Sequence, residues 1–148
     1  MFLNYLIFSI ITAFILAKLE IQIEGADGWA KNLPTWRKIN WLTKMLYSET
    51  PITGYHFWLL LMIFFFFHLP FFVGIPWSLK LELQVIASMI FFWILEDYLW
   101  FVLNPHFGFK KFTSQNIPWH STWWGPLPDH YIKGTCLILV LLYLSKLF

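Results

Sequence analysis

Apolar residues run almost unbroken through four stretches of the chain, and the polar residues collect between them. The stretches cover about 2–18, 55–77, 79–103 and 131–148. Spans near 20 residues match the thickness of a hydrocarbon layer. Lipid offers no partner for an unpaired backbone group, so each crossing must be helical. The pattern therefore predicts an all-α integral membrane four-helix bundle. Pro70 lies inside the second stretch and predicts a kink there, because it cannot donate to the helical ladder. The turn GIPW after it predicts a tight antiparallel hairpin between the second and third helices. A cleaved signal peptide is disfavoured at the first stretch: no Lys or Arg precedes Lys18, and the exit reads LAKLEIQIEG rather than a small-residue cleavage site.

Two long connections remain. The first, EIQIEGADGWAKNLPTWRKINWLTKMLYSETPITG, has Trp36, Ile39, Leu42, Met45 and Leu46 near helical spacing. Residues 36–47 thus read either as a short amphipathic helix on the membrane surface or as a loop anchored by Trp36 and Trp41. The second, residues 104–130, holds Pro105, Pro118, Pro126 and Pro128 with Trp119, Trp123 and Trp124. That mixture predicts an ordered Trp/Pro-rich cap at the interface rather than a flexible linker.

Composition sharpens the class. Of the 148 residues, 59% are hydrophobic and 12% charged, against about 25% charged in soluble domains. A soluble chain this small cannot hide so much apolar surface. The 10 Trp and 6 Tyr suit the headgroup layer, where an apolar ring meets a polar tip. The net charge of +2 is scattered, with no basic stripe, so nucleic acid is excluded as a partner. The single Cys136 cannot form an internal disulfide and reads as a small packed hydrophobe.

Basic residues set the expected orientation. Lys18, Lys31, Arg37, Lys38 and Lys44 cluster at the first connection, and Lys110, Lys111 and Lys133 at or near the second. The turn between the second and third stretches has Lys80, and the C-terminus Lys146. Positive loops face the cytoplasm. Both long connections are then cytoplasmic, both termini outside, and the membrane is expected to be a prokaryotic cytoplasmic one. Two long connections on one side can meet.

The candidate chemistry lies on that side. Glu96 and Asp97 sit in FWILEDYLWFVLN, with Glu96 about 12 Å of helix rise from Asn104. A charge in a span costs a few kcal/mol unless paired, hydrated or protonated, so function is the default expectation. Neighbours on a helix point about 100° apart, so the two carboxylates need not share a site. Glu20 and Glu24 share a face whether LEIQIEG is helical or extended. His106, His120 and His130 lie on the second connection. With Glu20, Glu24 and Glu96 they form a candidate set for a divalent Zn or Fe ion, although their spacing matches no familiar metal motif. The same histidines serve equally as general acid/base groups. His68 reads as a hydrogen-bonded packing residue, level with Ser88 across the hairpin. His56 and Glu82, near span ends, need no special role. Gly25 and Gly28 flank a turn. Arg37 and Lys38 are candidate ligands for a lipid headgroup phosphate.

The stretches EIQIEGADGWAKNLPTWR and LEDYLWFVLNPHFG resemble a group of small prokaryotic polytopic membrane proteins with no assigned activity. The resemblance covers about a third of the chain and carries no reaction with it. The acidic pair is also similar to a motif of membrane-bound lycopene cyclases. The proline preceding that motif is replaced here by Ile94 and Leu95 before Glu96, and the activity is not carried over.

The leading expectation is a membrane-embedded enzyme acting on a lipidic or isoprenoid substrate at the cytoplasmic interface. Glu96, Asp97, His106, His120 and His130 would be its catalytic groups, and Glu20 and Glu24 would complete the site. The first rival is a non-catalytic accessory or lipid-binding scaffold subunit, as a homo-oligomer or within a larger membrane complex. The second is a proton- or ion-coupled transporter, which needs polar groups through the whole thickness.

Overall fold

A computed structural model describes residues 2–39, 41, 50–117, 119–120 and 122–148. Among these, four α-helices carry the fold: α1 (Phe2–Glu24), α2 (Gly54–Phe72), α3 (Leu79–Leu103) and α4 (Asp129–Leu144). The first three are long and apolar enough to cross a membrane. The fourth is 16 residues, about 24 Å of rise, and falls short of the usual span length. It begins at Asp129 and stops at Leu144, not at Phe148 as the hydrophobic pattern predicts.

The first span is longer than predicted. Helix α1 continues through Lys18 to Glu24, which decides the geometry of LEIQIEG in favour of the helix. Its buried residues, Tyr5, Ser9, Ala13, Leu16, Ala17, Glu20 and Ile21, recur every three or four positions. Helix α3 buries a similar stripe: Val85, Ala87, Ser88, Phe92, Glu96, Trp100 and Phe101. The small residues on both stripes allow the backbones to approach closely. Ser9 Oγ accordingly donates to the Ser88 carbonyl at 3.2 Å, and Asn104 Nδ2 to the Gly25 carbonyl at 2.8 Å. These contacts set α1 and α3 parallel.

Helix α3 is the centre of the molecule. Its extensive contacts are with α1 and α4, and its contacts with α2 are sparse. The tight α2–α3 hairpin expected from GIPW is thus not the main packing unit. Helix α2 instead runs antiparallel to α1, with Tyr55 Oη bonded to Glu20 Oε1 at 3.0 Å near one end and Tyr5 reaching Phe67 near the other. The helix continues through Pro70 to Phe72. In its last turn the missing N–H removes a single ladder bond, and the Pro70 carbonyl accepts from Ile75 N. Helix α4 packs on α3 where Gly134 leaves room. A Cβ there would stand 2.7 Å from Ile94 Cδ1.

Both long connections close over one end of the bundle. Arg37–Lys38 (β1) pairs antiparallel with Ile52–Thr53 (β2), so residues 37–38 are extended rather than part of a surface helix. Most of the amphipathic stretch, including Leu42, Lys44, Met45 and Leu46, lies outside the described residues, as does Pro118. In the second connection a short 3-10 turn, Phe109–Lys111, precedes a two-residue ladder of Trp123–Trp124 (β3) with Leu127–Pro128 (β4). Phe101, Phe112 and Ile117 are buried beneath it, and Trp119 stacks on Phe101 at 5.9 Å. Each such side chain removed from water contributes about 1.5–3 kcal/mol, enough to order the expected cap. Cys136 faces outward, exposed, instead of packing inside.

Candidate functional site

The capped end encloses a cavity of about 720 Å³. Helix α1 brings Glu20 and Glu24 to it, α2 brings His56, α3 brings Glu96 and Asp97, the cap brings His120, and the first turns of α4 bring His130 and Lys133. Leu59, Leu60, Ile90, Trp93 and Ile94 form its apolar wall. The 3.6-residue period explains how one helix supplies both acids. Glu96 turns toward α1 and Asp97 toward α4, and the cavity spans the seam between them. Adjacent carboxylates that need not share a site therefore do share one.

On the α1 side, Glu20 accepts from Tyr55 Oη at 3.0 Å, and Glu96 lines the same cavity. Glu96 is only 4% exposed, yet its Oε1 has no hydrogen-bond partner. Glu24 accepts from the Ala30 N–H at 2.5 Å and lies 3.6 Å from His56 Nε2. That backbone donor is aimed by a left-handed run, Gly28 (φ 58), Trp29 (φ 49) and Ala30 (φ 50), which turns successive N–H groups toward one anion. Non-glycine residues here cost about 1–2 kcal/mol each. Gly28 is required twice over, since a Cβ would meet Trp100 Cη2 at 3.0 Å.

On the α4 side, three groups converge on one oxygen. Tyr131 Oη donates to Asp97 Oδ2 at 2.5 Å, His120 Nε2 lies 3.1 Å from the same atom, and His130 Nε2 lies 3.9 Å from it. The His120 approach is close enough for an ion pair but is not aligned as a hydrogen bond, and Nε2 is left without a partner. The ligating atoms of Asp97, His120 and His130 all fall within 4.8 Å of one another, close enough to hold a metal ion. Trp123 Nε1 fixes the cap by donating to the His120 carbonyl at 2.9 Å. Trp100 Nε1, in a side chain only 5% exposed, is a further buried donor without a partner.

Six of the seven candidate acids and histidines thus meet: Glu20, Glu24, Glu96, Asp97, His120 and His130. His106 does not. It is exposed in the turn after α3, where its N–H bonds Asn104 Oδ1 at 3.0 Å and its carbonyl accepts from Lys111 Nζ at 2.8 Å. The two candidate headgroup ligands are both engaged within the protein. Arg37 donates to the Ala30 carbonyl and, at 3.0 Å each, to those of Lys31 and Thr35. Lys38 Nζ stands 5.5 Å above the Trp36 ring. Outside the spans, the Asp27 carboxyl is held below its ordinary range by the Asn32 amide and then by Lys31.

Three participants are new: His56, Tyr55 and Tyr131. His56 stacks on Trp29 at 4.3 Å and meets Thr53 Oγ1 at 2.8 Å through Nδ1. A signal existed for Tyr55 and His56, which open the second span opposite the end of the first. Tyr131 stands one residue after His130 and gave none beyond that. Comparison with protein-family models, with curated proteins and with solved structures finds no match to this chain.

Proposed function

We propose that this chain is a membrane-embedded enzyme acting on a lipidic or isoprenoid substrate through its carboxylate/histidine cavity. One observation carries the reading. The groups most costly to hold in an apolar protein meet in a single cavity, and some of their polar atoms remain unpartnered. Buried polar atoms are nearly always satisfied, so a leftover donor and acceptor mark capacity reserved for something else. Trp100 N–H suits a substrate oxygen. Glu96 suits a proton acceptor or donor. The wall of Leu59, Leu60, Ile90 and Ile94 suits an alkyl or prenyl chain.

The reading includes the four-helix membrane bundle. Helix α4 is short, but its outward face carries Leu137, Leu139, Val140 and Tyr143, and bilayers thin locally around short spans. In this reading the basic connections face the cytoplasm together with the cavity, and both termini lie outside. A transport path is disfavoured, because Phe67 and Phe92, fully buried, fill the level between the two polar ends.

The test compares lipid extracts of cells carrying the wild-type chain, the Glu96→Gln variant made at equal level, or an empty vector. Mass spectrometry is expected to find a lipid species that changes with the wild type alone. If wild type and variant give the same profile as the vector, the enzymatic reading is overturned. A lipid bound equally by both purified forms, with no change in the extract, points to the lipid-binding scaffold.

A further inference from the structure

We infer that Asp97, His120 and His130 form a binding site for one divalent transition-metal ion, with its open positions facing the cavity. The inference stands on geometry and does not depend on the enzymatic reading.

Hydrogen-bond capacity is the first argument. Asp97 Oδ2 already accepts the short bond from Tyr131. Two imidazole nitrogens from different segments also close on that oxygen, at 3.1 and 3.9 Å. Only the Tyr131 bond to that oxygen is a formed hydrogen bond: His120 Nε2 has no hydrogen-bond partner and His130 Nε2 lies beyond hydrogen-bond distance. The arrangement is better matched to ligands drawn around a cation. An ion held at about 2.0–2.2 Å in a tetrahedral site has ligand atoms about 3.3–3.6 Å apart; the two imidazole nitrogens stand 3.1 and 3.9 Å from Asp97 Oδ2, and all three ligand atoms lie within 4.8 Å of one another.

The His120 side chain is about nine-tenths buried, at 10% exposed. Its Nε2 points at the cluster with no hydrogen-bond partner. An imidazole fixed there by Trp123 on its own carbonyl and by edge-to-face contact with Phe101 at 5.5 Å is oriented, not left over. Metal-ligating groups are oriented in this way by their neighbours, and Tyr131 does the same for Asp97.

Chemistry selects the ion. Two imidazoles with one carboxylate favour Zn²⁺ or Fe²⁺ over Ca²⁺ or Mg²⁺, which prefer all-oxygen sites. This set differs from the one the sequence suggests. His106 is excluded by its position, and Asp97 replaces Glu96 as the carboxylate ligand.

The test uses the full chain in mild detergent, purified through a tag without histidine, stripped with chelator and titrated with Zn²⁺. The expected stoichiometry is about one ion per chain. Asp97→Asn and His120→Ala should each weaken binding at least about 100-fold, while His106→Ala should leave it within about twofold. Tyr131→Phe keeps every ligand and should weaken binding about tenfold, the range for orienting partners, and alter the visible spectrum of the Co²⁺-loaded chain. Size-exclusion and melting profiles identify variants that misfold; His120→Gln then stands in for His120→Ala. Failure of the wild type to take up Zn²⁺, or uptake unchanged in the Asp97→Asn, His120→Gln double variant, overturns the site. The lipid profile of the Glu96→Gln variant decides the enzymatic reading separately.

Discussion

The two ends of the helix bundle are built from the same residue types and differ in what they leave unused. At the uncapped end, His68 on α2 meets Glu82 on α3. His68 Nδ1 lies 2.7 Å from the Phe64 carbonyl and Nε2 3.1 Å from Glu82 Oε1, while Trp77 Nε1 donates to Glu82 Oε2 at 3.0 Å. Each of these ring nitrogens and carboxylate oxygens has a partner, and Phe64 stacks on the imidazole at 4.0 Å. At the capped end, acids, histidines and a tryptophan again meet. There Glu96 Oε1, Trp100 Nε1 and His120 Nε2 have none, and a cavity of about 720 Å³ stands beside them. A His, an acid and a Trp near a membrane boundary do not make a site. The capped end leaves bonding capacity unused beside a cavity, whereas the His68–Glu82 pair is satisfied.

Replacing Phe92 by Ala, midway between the ends and packed 5.4 Å from Phe67, is expected to have the largest effect, a loss of about 3–5 kcal/mol. A single cooperative melt shifted down in temperature checks it; two separate transitions would show that the ends fold independently.

Glu82→Ala should cost about 1–3 kcal/mol, because it strands the buried His68 Nε2. Chemical denaturation in detergent measures the loss. A neutral result would remove the claim that this end is a structural knot.

Glu96→Gln should be the reverse. Its free Oε1 leaves no partner stranded, so stability should change by less than about 1 kcal/mol, while the lipid change attributed to the cavity disappears. A large stability loss with the lipid change retained would make the capped end structural too.

Asp27 is the smallest case. Its pKa is lowered by Asn32 and Lys31, so the favourable contribution is present above the ordinary Asp value and lost as pH falls through the lowered one. The group is fully exposed, where solvent screens such pairs. Asp27→Asn should leave the melting temperature unchanged at neutral and at mildly acidic pH, and a clear pH-dependent difference would contradict its assignment as a solvated turn.

Much of the architecture follows from local pattern. Runs of apolar residues announce helices because backbone bonds close within the segment, so the three long helices start within a residue of their predicted starts; the third also ends as predicted, while the first runs six residues further and the second stops five residues earlier. Thr53 and Ser78 fix two helix starts by accepting from His56 N and Leu81 N at 3.2 and 3.3 Å, a purely local device. Costly carboxylates stand out at Glu96 and Asp97 for the same reason: the expense belongs to the residue and its span.

What the sequence by itself determined is therefore helical content, the suitability of three helices for a bilayer, and which polar residues need explaining. Tertiary structure alone decided which of them meet. Lengthening α1 by a turn and a half carries Glu20 and Glu24 to the cavity, the fold of the cap delivers His120 while leaving His106 in solvent, and Tyr131 and His56 arrive from helix starts distant in the chain. Helical period fixes which face a side chain occupies, but axial placement and the path of a loop depend on packing between segments, and no local pattern encodes that.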